Sequence, residues 1–271
     1  MWTDEEDTHM GSRGVLMTYQ ATLNSRERIL LMGPAGTGKS WAAMDFAKQV
    51  LAGGNGNSVY VLDNDFSYER MLETSTVDNR ENMYVKDLYA DDWEAHITAL
   101  KGFIESAERD DLLIIDSISP LWQAAQDYYS TEVFGSDLSE FFLETRKASG
   151  KGQAFDGWKD WGIINKVYGQ LYRLMNRFPG HVIMTAEVTG LSDTEDKDAR
   201  AMYGSHRLKP VGQKSLGHRV NTILLTGKDR AGNFSLSTVK DRGREDDRMD
   251  NEEYTSFFRS YIMVRAGWEK S

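Results

Sequence analysis

Arg28-Ile-Leu-Leu-Met32 runs directly into Gly33-Pro-Ala-Gly-Thr-Gly-Lys-Ser40, and the residues that follow, Trp41, Ala42, Met44, Asp45, Phe46 and Val50, keep helical spacing as far as Ala52. This reads as strand, glycine-rich turn, helix. The turn fits G-x-x-x-x-G-K-[ST], in the context that pattern requires. Glycines let a backbone wrap closely and aim N–H groups at phosphate oxygens, while the helix N-terminus adds partial positive charge. On this reading Gly33, Pro34, Ala35, Gly36, Thr37, Gly38, Lys39 and Ser40 hold a nucleotide's phosphates. Lys39 reaches the β and γ phosphates, and the Ser40 hydroxyl ligates Mg²⁺. The bland alternative, a glycine turn that merely caps a helix, is disfavoured by the strand before it.

Working outward, Ser58 to Leu62 is a second apolar strand ending in Asp63-Asn64-Asp65, and Leu112 to Asp116 is a third ending in acid. Between them Trp93, Ile97, Leu100, Ile104 and Ala107 fall on one helical face. Alternating helices and continuous apolar strands predict an α/β fold, with a mostly parallel twisted sheet covered by helices on both faces. Leu121 to Arg146 and Asp160 to Phe178 read as helices, and His181 to Ala186 as a further buried strand. Glu187 to Gly217 is polar and basic without a period, which predicts a mobile loop. Arg219 to Thr226 and Asn233 to Lys240 read as an antiparallel hairpin at the C-terminal edge of the sheet. Residues 1–24 read as a loose arm, 25–250 as the core and 251–271 as a tail.

The chain has 271 residues, a formal net charge of −10 and no cysteine. Disulfides, thiolate metal sites and thiol nucleophiles are excluded. No apolar run is long enough to cross a bilayer and the first residues lack a signal-peptide pattern, so the expected location is the cytoplasm with no membrane partner. An acidic chain does not coat nucleic acid through its overall field. Locally, however, Lys197, Arg200, Arg207, Lys209, Lys214 and Arg219 face a single acid, Asp198, over that stretch. Solvated loop charges explain the same pattern.

Two carboxylate positions bear on chemistry. Asp116 ends an apolar strand, as an acid that holds Mg²⁺ through water must, although a turn residue before Ser117 is the alternative. Asp63 and Asp65 end the neighbouring strand, and one of them is placed to orient or deprotonate the attacking water. Asp65 is the candidate, since Asp63 is as easily a turn residue.

These residues resemble the RecA and RadA recombinase core, with a RecA-like P-loop NTPase fold, and within it the compact RecA-like ATPases of phages that act in single-strand annealing or recombination (Sak type). The likeness covers about Arg26 to Arg244. In that family the second strand ends in Asp-x-Glu and the Glu is the base. The resemblance therefore implies Asp65 in that role, one methylene shorter, with Glu69 a second candidate. It implies Asp116 as the metal-holding acid of the Asp-Ser motif. It also places Glu187 where the family carries a γ-phosphate-sensing amide; a carboxylate cannot donate to phosphate, so the implied role is positioning water in competition with Asp65.

Two loops of the recombinases bind single-stranded DNA, and residues 145–158 and 188–217 resemble them. The implied DNA-binding cations are Arg146, Lys147 and Lys151 in the first, and Arg200, Arg207, Lys209 and Lys214 in the second. Phe155, Trp158 and Tyr203 would supply rings for base stacking, with core packing the alternative for Trp158 and Trp161. Val239-Lys240-Asp241-Arg242 resembles the recombinase strand that lends two cations to the ATP of the adjoining subunit, the alternative being a surface ion-pair network with Asp241, Glu245 and Asp246. The expected function is an ATPase that self-assembles, with ATP and Mg²⁺ at subunit interfaces and single-stranded DNA as partner. The rival readings are a hexameric motor (helicase or packaging ATPase) and a nucleotide-gated DNA-binding module with little hydrolysis.

Overall fold

The apolar strands β1 (Arg28–Met32), β2 (Val59–Asp63), β4 (Leu112–Asp116) and β5 (His181–Ala186) are buried almost throughout, because both faces of the sheet they form are covered. The computed structural model describes residues 26–53, 56–147, 159–244, 246 and 248–267, with the side chains of 145–147 outside the described set. Its main sheet has eight strands in the order β10-β9-β8-β1-β5-β4-β2-β3. The run from β3 (Met83–Asp87) to β8 (Thr222–Lys228) is parallel, while β9 (Phe234–Asp241) and the two-residue β10 (Glu252–Glu253) are antiparallel. This is the RecA-like α/β architecture, with the antiparallel C-terminal pair expected from the sequence.

Side chains alternate across a strand, and the core divides accordingly. Leu30 and Met32 join one apolar cluster with α3 (Trp93–Ser106), α4 (Leu121–Phe134) and α6 (Lys159–Arg177). Ile29 and Leu31 join the other with α1 (Lys39–Ala52), α2 (Ser67–Thr74), Phe257 and Tyr261. The residues after 250 thus lie against α1, where one Asp45 carboxylate oxygen accepts from the Ser256 hydroxyl and the Phe258 amide, both at 2.8 Å.

Two sequence expectations change. The helix expected over Leu121 to Arg146 is two, because Gly135 adopts a left-handed φ of 80° and ends α4, after which Asp137 caps α5 (Leu138–Lys147). Glu187 to Gly217 is not a structureless loop. It holds β6 (Val188–Gly190) paired antiparallel with β7 (Leu208–Pro210), and between them α7 (Lys197–Tyr203), whose first turn is capped by Asp196. Two further elements stand beside these: α2, whose Tyr68, Met71 and Leu72 face the core and whose first turn is held by Asp63, and the edge strand β3, which adds to β2.

Below the sheet, Arg244 forks onto the buried Glu27, its NH2 2.6 Å from Oε1 and its NH1 3.3 Å from Oε2, and so ties the end of β9 to the start of β1. Removing one partner leaves a buried charge. Arg244→Ala is expected to destabilise the fold by about 3 kcal/mol, read as a lowered urea midpoint with an unchanged slope.

Candidate active site

The parallel register brings the carboxyl ends of β1, β2, β4 and β5 to one edge. Asp63 pairs with Asp116, Ile115 with Met184, and Met32 with Ala186. One step further along, Asp116 therefore stands level with Thr185, and Gly33 with Glu187. The 33–40 loop is clamped there by its neighbours: the Gly33 amide donates to the Ala186 carbonyl at 3.2 Å, and the Thr37 and Thr226 hydroxyls share a hydrogen bond of 2.7 Å. A Cβ on Gly33 would stand 2.2 Å from the Thr226 hydroxyl oxygen, so glycine is required. Gly38, at φ 85°, turns the chain into α1 in a conformation that a side chain disfavours. The first turn of α1 carries no acid, which leaves its positive dipole end unopposed for an anion.

The Lys39 ammonium donates to the Gly33 and Pro34 carbonyls, both at 2.9 Å. Burial lowers its pKa, and the charges of Asp116, Glu187 and Asp65 oppose that shift. These three acids line one cleft of about 670 Å³ with Gly33, Pro34, Ala35, Gly36, Gly38, Lys39 and Ser40. Thr37 faces away, toward β8, where its hydroxyl also donates to the Pro34 carbonyl at 2.7 Å.

The acids differ in environment. Asp116 is buried, and its Oδ1 accepts from the Thr185 hydroxyl. Burial raises its pKa, against the hydroxyls of Thr185 and Ser40, which lower it. Its Oδ2 is buried with no hydrogen-bond partner among the described residues. A divalent cation shared between that oxygen and the Ser40 hydroxyl would satisfy it, so the donor set fits Mg²⁺. Asp63 is fully buried and spends its carboxylate on the Tyr68 amide at 2.8 Å and the Asp65 amide at 3.4 Å; burial raises its pKa to about 6. Asp65 is exposed in the cleft, with Oδ1 accepting from the Ser67 amide at 3.2 Å. Glu187 is also exposed, and its backbone is tied to Ser119 through its amide (2.9 Å) and to Val211 through its carbonyl (2.8 Å).

Sequence reasoning missed Thr185, Lys228 and Phe234. Thr185 lies inside an apolar strand and shows its role only through the β4–β5 register. Lys228 and Phe234 reach the cleft from the β8–β9 hairpin, with the Lys228 ammonium 5.0 Å from the Phe234 ring centre. A second cleft of about 770 Å³ adjoins the loop, between Trp41, Asp45 and Lys48 of α1 and Phe234, Glu253 and Tyr254.

The remaining candidates are not at this cleft. Because β9 runs antiparallel, Lys240 pairs with Ile223, toward the far end of the sheet from the loop. Its ammonium donates to the carbonyls of Gly217 at 2.8 Å and Val220 at 2.7 Å in the same chain. Arg242, beyond it, is exposed. Arg200, Arg207, Lys209 and Lys214 share the 188–218 module. Lys209 is paired there with Glu195, whereas Arg200 and Lys214 are exposed. Arg207 meets Asp193 only at 3.6 Å with both side chains largely in solvent, a contact worth little. Arg146 and Lys147 belong to the last turn of α5, and Lys151, Phe155 and Trp158 lie outside the described residues.

A glycine loop leading into a helix, a buried acid beside its serine and a ring of acids around its lysine define a P-loop ATPase. The chain belongs to the family described as the AAA domain, whose model matches residues 25–224. It is also similar to the DNA repair and recombination protein RadB from two strains of Halobacterium salinarum. Each is 24% identical over 222 residues, covering 80% of this chain and 78% of the relative. Among the described residues no helix is long and apolar enough to cross a membrane.

Thr185→Val keeps the shape of a fully buried side chain and removes the donor to Asp116. Loss of such a supporting contact is expected to weaken Mg²⁺-dependent nucleotide binding about tenfold and to lower stability by about 1 to 3 kcal/mol, because a buried acceptor loses its donor. Titration calorimetry with and without Mg²⁺ checks this.

Proposed function

We propose that this chain is an ATP-dependent, single-stranded-DNA-binding recombination or annealing ATPase that self-assembles with ATP between subunits. The observation that carries the reading is the convergence of Lys39, Ser40, Asp65, Asp116 and Glu187 on one cleft. The loop amides and the α1 dipole bind the phosphates. Lys39 exchanges its two carbonyl partners for β and γ phosphate oxygens. Ser40 and Asp116 would hold Mg²⁺, which would supply neutralisation of phosphate charge. Asp65 orients the water, since Asp63 is already committed to capping α2; Glu187 faces the same space from β5. The base and ribose take the adjoining cleft, against Trp41, Phe234 and Tyr254.

The DNA part of the reading is supported by the names of the RadB relatives and by the exposed cations Arg200, Arg207 and Lys214 on a module anchored to Glu187 through Val211. Lys209, held by Glu195, is the weaker candidate. For the cation lent to a neighbouring subunit, Arg242 is preferred to Lys240, whose ammonium would first have to leave Gly217 and Val220. A cytoplasmic location belongs to the same proposal. The second reading, a nucleotide-gated binding module with slow turnover, draws on Asp65, which is short for its role and partly engaged with the Ser67 amide.

Lys39→Ala is expected to lower kcat/KM for ATP by about 10² to 10³, and single-stranded DNA to stimulate the wild type. Turnover that DNA leaves unchanged, together with no DNA retention by the ATP-bound protein, removes the recombination reading. A wild-type single-turnover rate equal to that of Lys39→Ala selects the slow module. In the base cleft, Phe234→Ala is expected to raise KM for ATP about tenfold with kcat little changed, and steady-state kinetics check it.

A further inference from the structure

Asn64 stands between the two strand-end acids and joins the β2 turn to the β4 turn. Its backbone N–H donates to the Asp116 carbonyl at 2.7 Å and its Nδ2 to the Ser117 carbonyl at 2.6 Å. With Nδ2 committed to a carbonyl, its Oδ1 is an acceptor only. Turning the amide over would set two oxygens face to face. Against Oδ1 lies Nε2 of His96 at 2.5 Å, while the other ring nitrogen, Nδ1, lies 2.6 Å from the Asp92 carbonyl. Both neighbours of the ring are therefore acceptors. A neutral imidazole offers one N–H and one lone pair, so either tautomer opposes a lone pair to a lone pair. The imidazolium satisfies both contacts, and the ring, with no exposed surface, has no solvent to replace a lost one.

We propose that His96 is a positioning residue of the nucleotide site that works as its imidazolium: protonated on both nitrogens it locks Asn64, and with it the cleft acid Asp65, onto the Asp116–Ser117 turn, and loss of one proton releases that lock. The inference rests on the ATPase reading for the roles of Asp65 and Asp116, but the protonation of the ring does not. Burial is the largest influence and holds the pKa of His96 below the ordinary imidazole value, against Asp92 and Asp91, on the segment leading into α3, which raise it. On α3 itself Glu94 turns to Tyr128 of α4. On the sheet side the carboxylates are Asp63 and Asp65, flanking Asn64, and Asp116 behind it. The lock is closed at low pH and opens as pH rises through the titration of the ring, which burial places below the ordinary imidazole value.

The test uses the ¹⁵N-labelled full chain without nucleotide. The chain has five histidines, and His96→Gln assigns the ring by its missing signals. Expected are two protonated ring nitrogens at the acid end and an Asn64 side-chain amide that shifts with the same midpoint. A ring with one bare nitrogen throughout, or an Asn64 amide indifferent to that midpoint, overturns the proposal. Wild-type kcat is expected to fall about tenfold across the midpoint with KM for ATP unchanged, and His96→Gln to lack that limb. The same limb persisting in the variant also overturns it. If no ATP is hydrolysed at all, the functional reading fails, and the wild-type ring and Asn64 signals still decide the positioning claim.

Discussion

The phosphate loop keeps its shape because it is gripped from both sides. Ala186 at the end of β5 accepts the Gly33 amide, Thr226 of β8 accepts or donates at Thr37, and no atom larger than hydrogen fits on the Gly33 α-carbon facing β8. A loop set by its own protein contacts does not have to be ordered by its ligand, so its amides can be aimed in advance at the place where charge will sit. The position of β1 between β5 and β8 makes this grip available, and that position follows from parallel strands joined by helices on both faces.

Register does the rest of the placement. Strands that end at the same edge bring Asp116, Asp65 and Glu187 around one ammonium although 122 residues separate Asp65 from Glu187 (187 minus 65). Burial then divides their roles. Asp63, buried and bonded to two amides, holds the start of α2; Asp65, two residues on, is left to the cleft. Asp116 has one oxygen fixed by Thr185 and the other without a hydrogen-bond partner among the described residues, a split that suits an acid required to hold a cation in a fixed direction.

What could be read in advance was local. The apolar runs of β1, β2, β4 and β5, the glycine pattern and the acids at the strand ends each occupy a few consecutive residues, and the sheet follows from them. The break at Gly135-Ser-Asp137 is also legible, since a glycine followed by a capping residue is a helix stop and start. The module at 188–218 was not legible, because its strands are three residues long and pair with each other rather than with the main sheet. Thr185, Phe234 and the pairing of Lys240 with Gly217 and Val220 depend on which strands become neighbours, which no local period reports. In the single chain the Lys240 ammonium is engaged with its own carbonyls, so a task at a neighbouring subunit would require it to leave them.

The central claim is that a triphosphate is neutralised by main-chain amides, one ammonium and one divalent cation at the end of β1. A crystal structure with a non-hydrolysable ATP analogue and Mg²⁺ tests it most directly. The account predicts density for the phosphates inside residues 33–40, the metal between Ser40 and Asp116, and the Lys39 ammonium moved from the Gly33 and Pro34 carbonyls onto the β and γ phosphates. An analogue bound elsewhere, or bound here with Lys39 still on those carbonyls and no metal beside Asp116, would contradict it.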